Sequence, residues 1–254
     1  MTQRASGTLL STLSRSIAEV AGIVLIVIAA KTALAEPFYV PSGSMEPTLL
    51  IGDELLATKF AYGYGTSSLP SFIVLPNSAR ILAALPERGD VVVFRWPGDR
   101  SQTWVKRVIG LPGDRIAVRD GQVWINGEPA RLRADGTGSM ETEDGSAMPA
   151  ERFIETLPGG RSHLVLKFSH NDPLDNVPEF VVPDGRLFVM GDNRDNSADS
   201  RVPVSAGGVG LLPVGDLVGR VDAIVGSWDL GVRSQPAWTW PSGLRLSRFF
   251  SAVH

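Results

Sequence analysis

A mainly β exported domain behind a single membrane-spanning helix is the fold class that the sequence predicts, and three observations predict it. An apolar run of 19 residues, Ile17 to Ala35, stands near the N-terminus. Behind it come short runs rich in β-branched and aromatic residues, each closed by Gly, Pro, Asn or Asp. Gly (27) and Pro (18) are also abundant together in a chain of 254 residues, which suits many turns and few long helices.

The apolar run, IAEVAGIVLIVIAAKTALA, is just long enough to cross roughly 30 Å of hydrocarbon as a helix. Glu19 and Lys31 lie near its ends, where they can snorkel to the headgroups. Arg4 and Arg15 precede it without an opposing acid, whereas Glu36, Glu46, Asp53 and Glu54 outnumber Lys59 after it. That asymmetry puts residues 1–16 in the cytoplasm, an anchor at 17–35 and residues 36–254 outside. Ala33-Leu34-Ala35 also reads as an A-x-A cleavage pattern, so a removable signal peptide is the rival expectation. Lys31 and Pro37 argue against removal.

In the exported part, Asp53 to Phe60, Asp90 to Phe94 and Thr103 to Gly110 read as strands. Arg115 to Ala130 holds two apolar runs around Asp120-Gly121, a hairpin signal, and Asn126-Gly127 supplies a second turn. Arg186 to Asp192 and Leu217 to Trp228 continue the β texture. A short helix is expected at Ser78 to Leu85. Ala134 to Gly160 is polar and weakly patterned, and reads as a long loop in an inserted subdomain of about residues 120–185. From Pro236 the tail carries Trp238, Trp240, Phe249 and Phe250, and its helical part either lies on a membrane interface or packs on the domain.

Charge and composition exclude several classes. A formal charge of -3 gives no basic field for nucleic acid. The absence of cysteine removes disulfides and thiolate sites.

The stretch PSGSMEPTLL, Pro41 to Leu50, sets two serines around a glycine. A serine is a poor nucleophile until something takes its proton. The three histidines, His163, His170 and His254, lie in the insert or at the terminus, away from any recognisable active-site setting. Lysine can serve if its amine is neutral near pH 7, which burial among apolar side chains achieves. Lys106, in TWVKRVI, is the best candidate. Alternation places it on one face with Trp104 and Val108 and sends Arg107 to the other, expected to be solvated. The competing reading of Lys106 is a strand lysine paired to an acid. GDNRDNSADSR, Gly191 to Arg201, is a polar loop whose carboxylates suit a cation, but whose interleaved Arg194 and Arg201 favour ion pairs inside the loop. Its Ser197 hydroxyl can hold a lysine amine.

Residues 41–63, 88–97, 104–114 and 191–201, taken in order, resemble the boxes of bacterial type I signal peptidases. The resemblance implies a catalytic core of coiled β-sheets with a smaller β insert, and a serine endopeptidase that removes signal peptides from exported preproteins at the outer face of the inner membrane. It implies Ser44 as nucleophile, Lys106 as general base, and Ser42 with the Ser44 N–H as oxyanion hole. Ser197 would orient the lysine, with Asp199, Arg201, Asp192 and Arg194 in support. Phe38, Val40, Met45, Leu49, Trp104 and Val105 would shape shallow pockets for small residues, giving an A-x-A preference. The implied partners are preprotein signal-peptide regions and membrane lipid, with no metal or organic cofactor and no nucleic acid. The chain departs from the family pattern at Trp104, often tyrosine in relatives, and in the Gly-rich stretch after Arg201. A narrow-client protease of the same fold and a non-catalytic anchored binding module are the alternatives.

Overall fold

The structure, a computed structural model, describes residues 15–23, 27, 34–69, 80–141, 147–169 and 172–253. Residues 15–23 are helical, but most of the expected anchor, at 24–26 and 28–33, lies outside the described residues. Among the described residues no helix is long and apolar enough to cross a membrane.

Strands dominate the remainder. In chain order they are β1 (Ala35–Tyr39), β2 (Asp53–Thr58), β3 (Val91–Trp96), β4 (Asp99–Gly110), β5 (Arg115–Arg119), β6 (Gln122–Ile125), β7 (Glu128–Pro129) and β8 (Arg131–Glu141). They continue with β9 (Ala147–Thr156), β10 (Ser162–Lys167), β11 (Val177–Val181), β12 (Arg186–Met190), β13 (Leu212–Pro213), β14 (Leu217–Ser227) and β15 (Ser251–Ala252). The main sheet runs β1-β2-β14-β3-β4-β12-β13, with β15 against β14. A second sheet is β11-β5-β6-β7 and a third is β10-β9-β8.

The sequence signals account for most of this. Asp120 and Gly121 take positive φ (50° and 77°), as do Asn126 and Gly127 (54° and 84°), so both predicted turns close hairpins of the second sheet. Two apolar clusters flank the central strands. One joins Val40, Met45 and Leu49 to Val91, Val93 and Val221; the other joins Val92 and Val108 to Leu187, Val189 and Leu217.

Two local expectations fail. The stretch read as a loop at Ala134 to Gly160 is largely β8 and β9, paired from Arg131↔Thr156 to Glu141↔Ala147. It was illegible because its own apolar support is thin: among the described residues the buried cluster there is Met140, Ala150 and Leu166, with Met148 packed against it, so neither strand alternates cleanly. Of the helix expected at Ser78 to Leu85, residues 80–85 are not helical, and Ile81 instead bridges to Tyr64. Residues 78 and 79 lie outside the described ones.

The tail forms short 3₁₀ turns in place of a longer helix, and it packs on the domain. β15 pairs with β14, and Arg248 reaches the Asp53 carboxylate at 2.6 Å and the Thr48 carbonyl at 2.9 Å. Trp238, Leu246 and Phe250 nevertheless project into solvent, each at least two-thirds exposed.

Candidate active site

The loop that carries Ser44 begins just past the end of β1. A 3₁₀ turn over Gly43–Met45 lifts Ser44 toward β4 while Met45 and Leu49 bury beneath it. Gly43 is tightly packed: a Cβ would lie 3.1 Å from the Glu46 carboxyl carbon, and that side chain would have to give by a few tenths of an ångström.

Lys106 approaches from β4. Its Nζ donates to Ser44 Oγ at 2.7 Å and to the Val105 carbonyl at 3.0 Å, and sits 5.6 Å from the Trp104 ring centre. The residue is 4% exposed, and among the described residues no carboxylate lies within ion-pair distance of it. Burial pushes its pKa down from 10.5 to about 8, with Asp199 and Asp192 resisting the shift. Lys59 shows the opposite outcome. It is equally buried, but Glu36 lies 2.7 Å from its amine and the Ser68 carbonyl accepts from it at 2.8 Å. The acid pairing considered for Lys106 is thus made by Lys59, just past the end of β2, instead.

Arg107 is not solvated, as alternation had suggested, but wholly buried. It grips Asp192 through Nε at 2.8 Å and through a terminal nitrogen at 2.7 Å, and donates to the Gly89 carbonyl at 2.7 Å. The cause is topological: β4 lies between β3 and β12, and the 191–201 loop covers the face that would otherwise meet water. Thr48 donates to the same Asp192 at 2.5 Å, tying the Ser44 loop to this pair. Burial alone would raise the Asp192 pKa, and the Arg107 guanidinium more than reverses it, so the carboxyl titrates below its ordinary range.

The 191–201 loop holds one ion pair of its own, Asp199 with Arg201 at 2.9 Å. The other charges look outward: Arg194 pairs with Glu155 of β9, and Asp195 with Lys167 of β10 at 2.9 Å. Loop-internal pairing therefore holds for one arginine of the two. A bound cation has no support among the described residues, where no cluster suits a metal. Ser197 is buried, but among the described residues its hydroxyl makes no hydrogen bond, to Lys106 or to any other group. It packs against Gly191, where an added Cβ would stand 2.3 Å from Ser197 Oγ and 2.4 Å from the Ser44 carbonyl oxygen.

Sequence reasoning missed Asn193. Its backbone N–H donates to the Ser44 carbonyl at 3.2 Å, and its side chain donates to the Gly43 carbonyl at 3.1 Å. Glu155 and His163 were missed too; the His163 Nε2 lies 3.2 Å from Glu155 and 3.8 Å from Asp192, all three buried. Asn193 finds its partners some 150 positions away, and Glu155 and His163 meet only because β9 and β10, whose sequence carries little apolar alternation, pair with each other. His163 points its Nε2 at Glu155 and Asp192, and His170 and His254 fall outside the described residues.

A cleft of about 1060 Å³ opens over Ser44 and Lys106. Phe38, Ser42, Trp104 and Val105 line it, with Leu55, Val93 and Ala198. Val40, Met45 and Leu49 do not line it; they form the core behind the wall. Trp104 is held by stacking on Trp96, 4.9 Å apart and 1° from parallel.

A serine hydroxyl in contact with a buried amine, at the floor of an open and largely apolar cleft, marks a serine hydrolase. The model of the family "Signal peptidase, peptidase S26" matches residues 13–228. Signal peptidase I of Rickettsia akari (strain Hartford) is 36% identical over 251 residues, covering 91% of this chain and 90% of the relative. That of Rickettsia typhi (strain ATCC VR-144 / Wilmington) is 35% identical over 262 residues, covering 96% and 95%. The chain belongs to the signal peptidase family, and is a serine endopeptidase acting on signal peptides. A solved signal peptidase I from Enterococcus faecalis V583 overlaps 54% of this chain and 97% of its own at 24% identity, with a TM-score of 0.32, too loose an overlap to bear on the fold.

Proposed function

We propose that Ser44 attacks the scissile carbonyl of a preprotein while Lys106 takes its proton, and that the cut falls after an A-x-A pattern. The observation that carries this is the 2.7 Å contact between Ser44 Oγ and a lysine amine that is buried, has no carboxylate partner among the described residues, and is lowered to about 8. At neutral pH such an amine is neutral often enough to accept a proton, and it returns that proton to the leaving amine. The Ser42 hydroxyl and the Ser44 N–H stabilise the oxyanion, and both residues line the cleft. Asp192, Arg194, Asp199 and Arg201 hold the floor, with Ser197 packed among them. The substrate lies extended against the free edge of β1, its small side chains entering pockets walled by Phe38, Trp104 and Val105 and backed by Val40, Met45 and Leu49.

In this reading the apolar segment from residue 17 anchors the chain but ends before β1, which already includes Ala35, so the boundary expected at residue 35 moves back; residues 1–16 remain in the cytoplasm, and the catalytic part works on the outer face of the inner membrane. Ile17, Val20 and Ile23 support it: each is about 60% exposed on the described helix, with no domain packed over them. The projecting Trp238, Leu246 and Phe250 suit an interface with lipid. The test is cleavage of a purified preprotein in detergent by the wild type and by Lys106→Met, mapping the new N-terminus. A cut after A-x-A that vanishes in the variant is expected. Equal cutting by both would refute the dyad.

A further inference from the structure

The third sheet grips the 191–201 loop from residue 192 to residue 195. The end of β10 runs parallel to the loop there: the Leu166 N–H donates to the Asp192 carbonyl at 2.9 Å, and the Arg194 N–H donates to the Leu166 carbonyl at 3.0 Å. The N–H groups of Phe168 and Ser169 both donate to the Asp195 carboxylate at 2.8 Å, and Lys167 pairs with the same group. From β8, the Met140 sulfur accepts from the Asn193 side chain at 3.9 Å. At the centre stands Glu155 of β9. It is wholly buried and takes both terminal nitrogens of Arg194, one of them at 2.8 Å. His163 of β10 faces the same carboxylate at 3.2 Å and Asp192 at 3.8 Å. The main sheet holds the loop nearer its ends, through Arg107 with Asp192 and through Ser200 with Val189.

The residue between Asp192 and Arg194 is Asn193, which holds the Ser44 and Gly43 carbonyls at 3.2 and 3.1 Å. The Arg194 carbonyl accepts from Arg201, the partner of Asp199. A buried arginine deprived of its carboxylate is costly to keep in place, so its backbone yields toward water. That movement would carry Asn193 with it, loosen the cover that Asn196 and Ala198 give the cleft, and part the Lys106 amine from Ser44. We infer that Glu155 is a positioning residue for the reaction: through Arg194 and Asn193, the inserted sheet sets the reach between Ser44 and Lys106. The inference rests on the dyad reading given above. Burial is what brings the Lys106 amine down to about 8, against Asp199 and Asp192, so a loop that admits water returns it toward its ordinary 10.5. Against the upward push of burial, Arg194 with His163 holds Glu155, and Arg107 holds Asp192, below the ordinary carboxylate range. Both carboxylates therefore stay charged from neutral pH upward.

The test compares the wild type with Glu155→Gln and Glu155→Asp, each as full chain in detergent, on a peptide with an A-x-A site between about pH 7 and about pH 10. Glu155→Gln should lower kcat at pH 7 about tenfold or more while KM stays within about threefold. The midpoint of its pH–rate profile should rise by about one unit, so that the deficit narrows toward the top of the range. Glu155→Asp keeps the charge on a shorter arm and should show a smaller change in the same direction. It carries the test if Glu155→Gln does not fold by circular dichroism. The inference is overturned if kcat at pH 7 is unchanged in a folded Glu155→Gln chain, or if KM rises while kcat holds. It is overturned equally if the deficit is the same at every pH, as simple loss of folded enzyme would make it. A wild type that does not cut the peptide takes down the dyad reading and the inference with it. A wild type that cuts with no midpoint near 8 strikes at the dyad reading alone, and the kcat loss at constant KM then decides the inference.

Discussion

Replacing Lys106 by methionine should abolish cleavage and stabilise the fold at the same time. Burial moves the amine from its ordinary 10.5 to about 8. At pH 7 the lysine is nonetheless mostly charged in both the folded and the unfolded chain, so the folded state carries the whole cost of that displacement. At 1.36 kcal/mol per pH unit the cost is about 3 kcal/mol. Methionine fills similar space without charge but leaves the Val105 carbonyl without its 3.0 Å donor, which returns about 1 kcal/mol. A net gain of about 2 kcal/mol at pH 7 follows. The pH dependence is the sharper test. Between about 8 and 10.5 the unfolded chain binds a proton that the folded chain has lost, so stability of the lysine form rises through that window. The advantage of methionine should shrink across it and end, or reverse, near its top. Urea unfolding of Ser44→Ala with and without Lys106→Met, at pH 7 and pH 10, measures this without self-digestion. A methionine form less stable at pH 7, or a difference that stays constant with pH, would refute burial as what lowers the lysine.

The wild-type kcat should climb with pH with a midpoint near 8, set by the same amine, in a pH–rate profile on a peptide substrate. Ser42→Ala should lower kcat about a hundredfold while leaving KM nearly unchanged, since an oxyanion donor acts on charge that develops only during reaction. Asp192→Asn should cost about 3–5 kcal/mol in denaturant unfolding at pH 7, because it strands the buried Arg107. In the unaltered protein that contribution is present above the ordinary carboxylate range and lost as pH falls through the lowered Asp192 value. Gly191→Ala should reduce activity severely in a chain whose circular dichroism remains that of the wild type, because the new methyl meets both Ser197 and the Ser44 carbonyl.

What could be read in the sequence was local in origin. The Asp120-Gly121 and Asn126-Gly127 turns, the strand around Lys106 and its apolar setting all follow from neighbours along the chain. Two-residue alternation misplaced Arg107 because it assumes one wet face, and the second half of β4, Lys106 to Gly110, has none. The polar strands β8 and β9 escaped notice because their pairing rests largely on the ladder between them and on a three-residue cluster. Asn193 stood between residues already singled out, yet its task, holding two carbonyls of the nucleophile loop, depends on contacts some 150 positions away. Ser44 and Lys106 were legible as types in settings; their meeting was implied only by likeness to a family.

The pairing of Ser44 with Lys106 spans 62 positions and needs β1, β2, β14, β3 and β4 in register before the amine is buried. In the unfolded chain that same lysine has its ordinary value of 10.5 and is cationic at neutral pH. On the proposed dyad, a nascent copy therefore carries the serine and the lysine but no base. Proteolytic power arrives late, as a property of the finished sheet, and a molecule that loses the sheet disarms itself as it unravels.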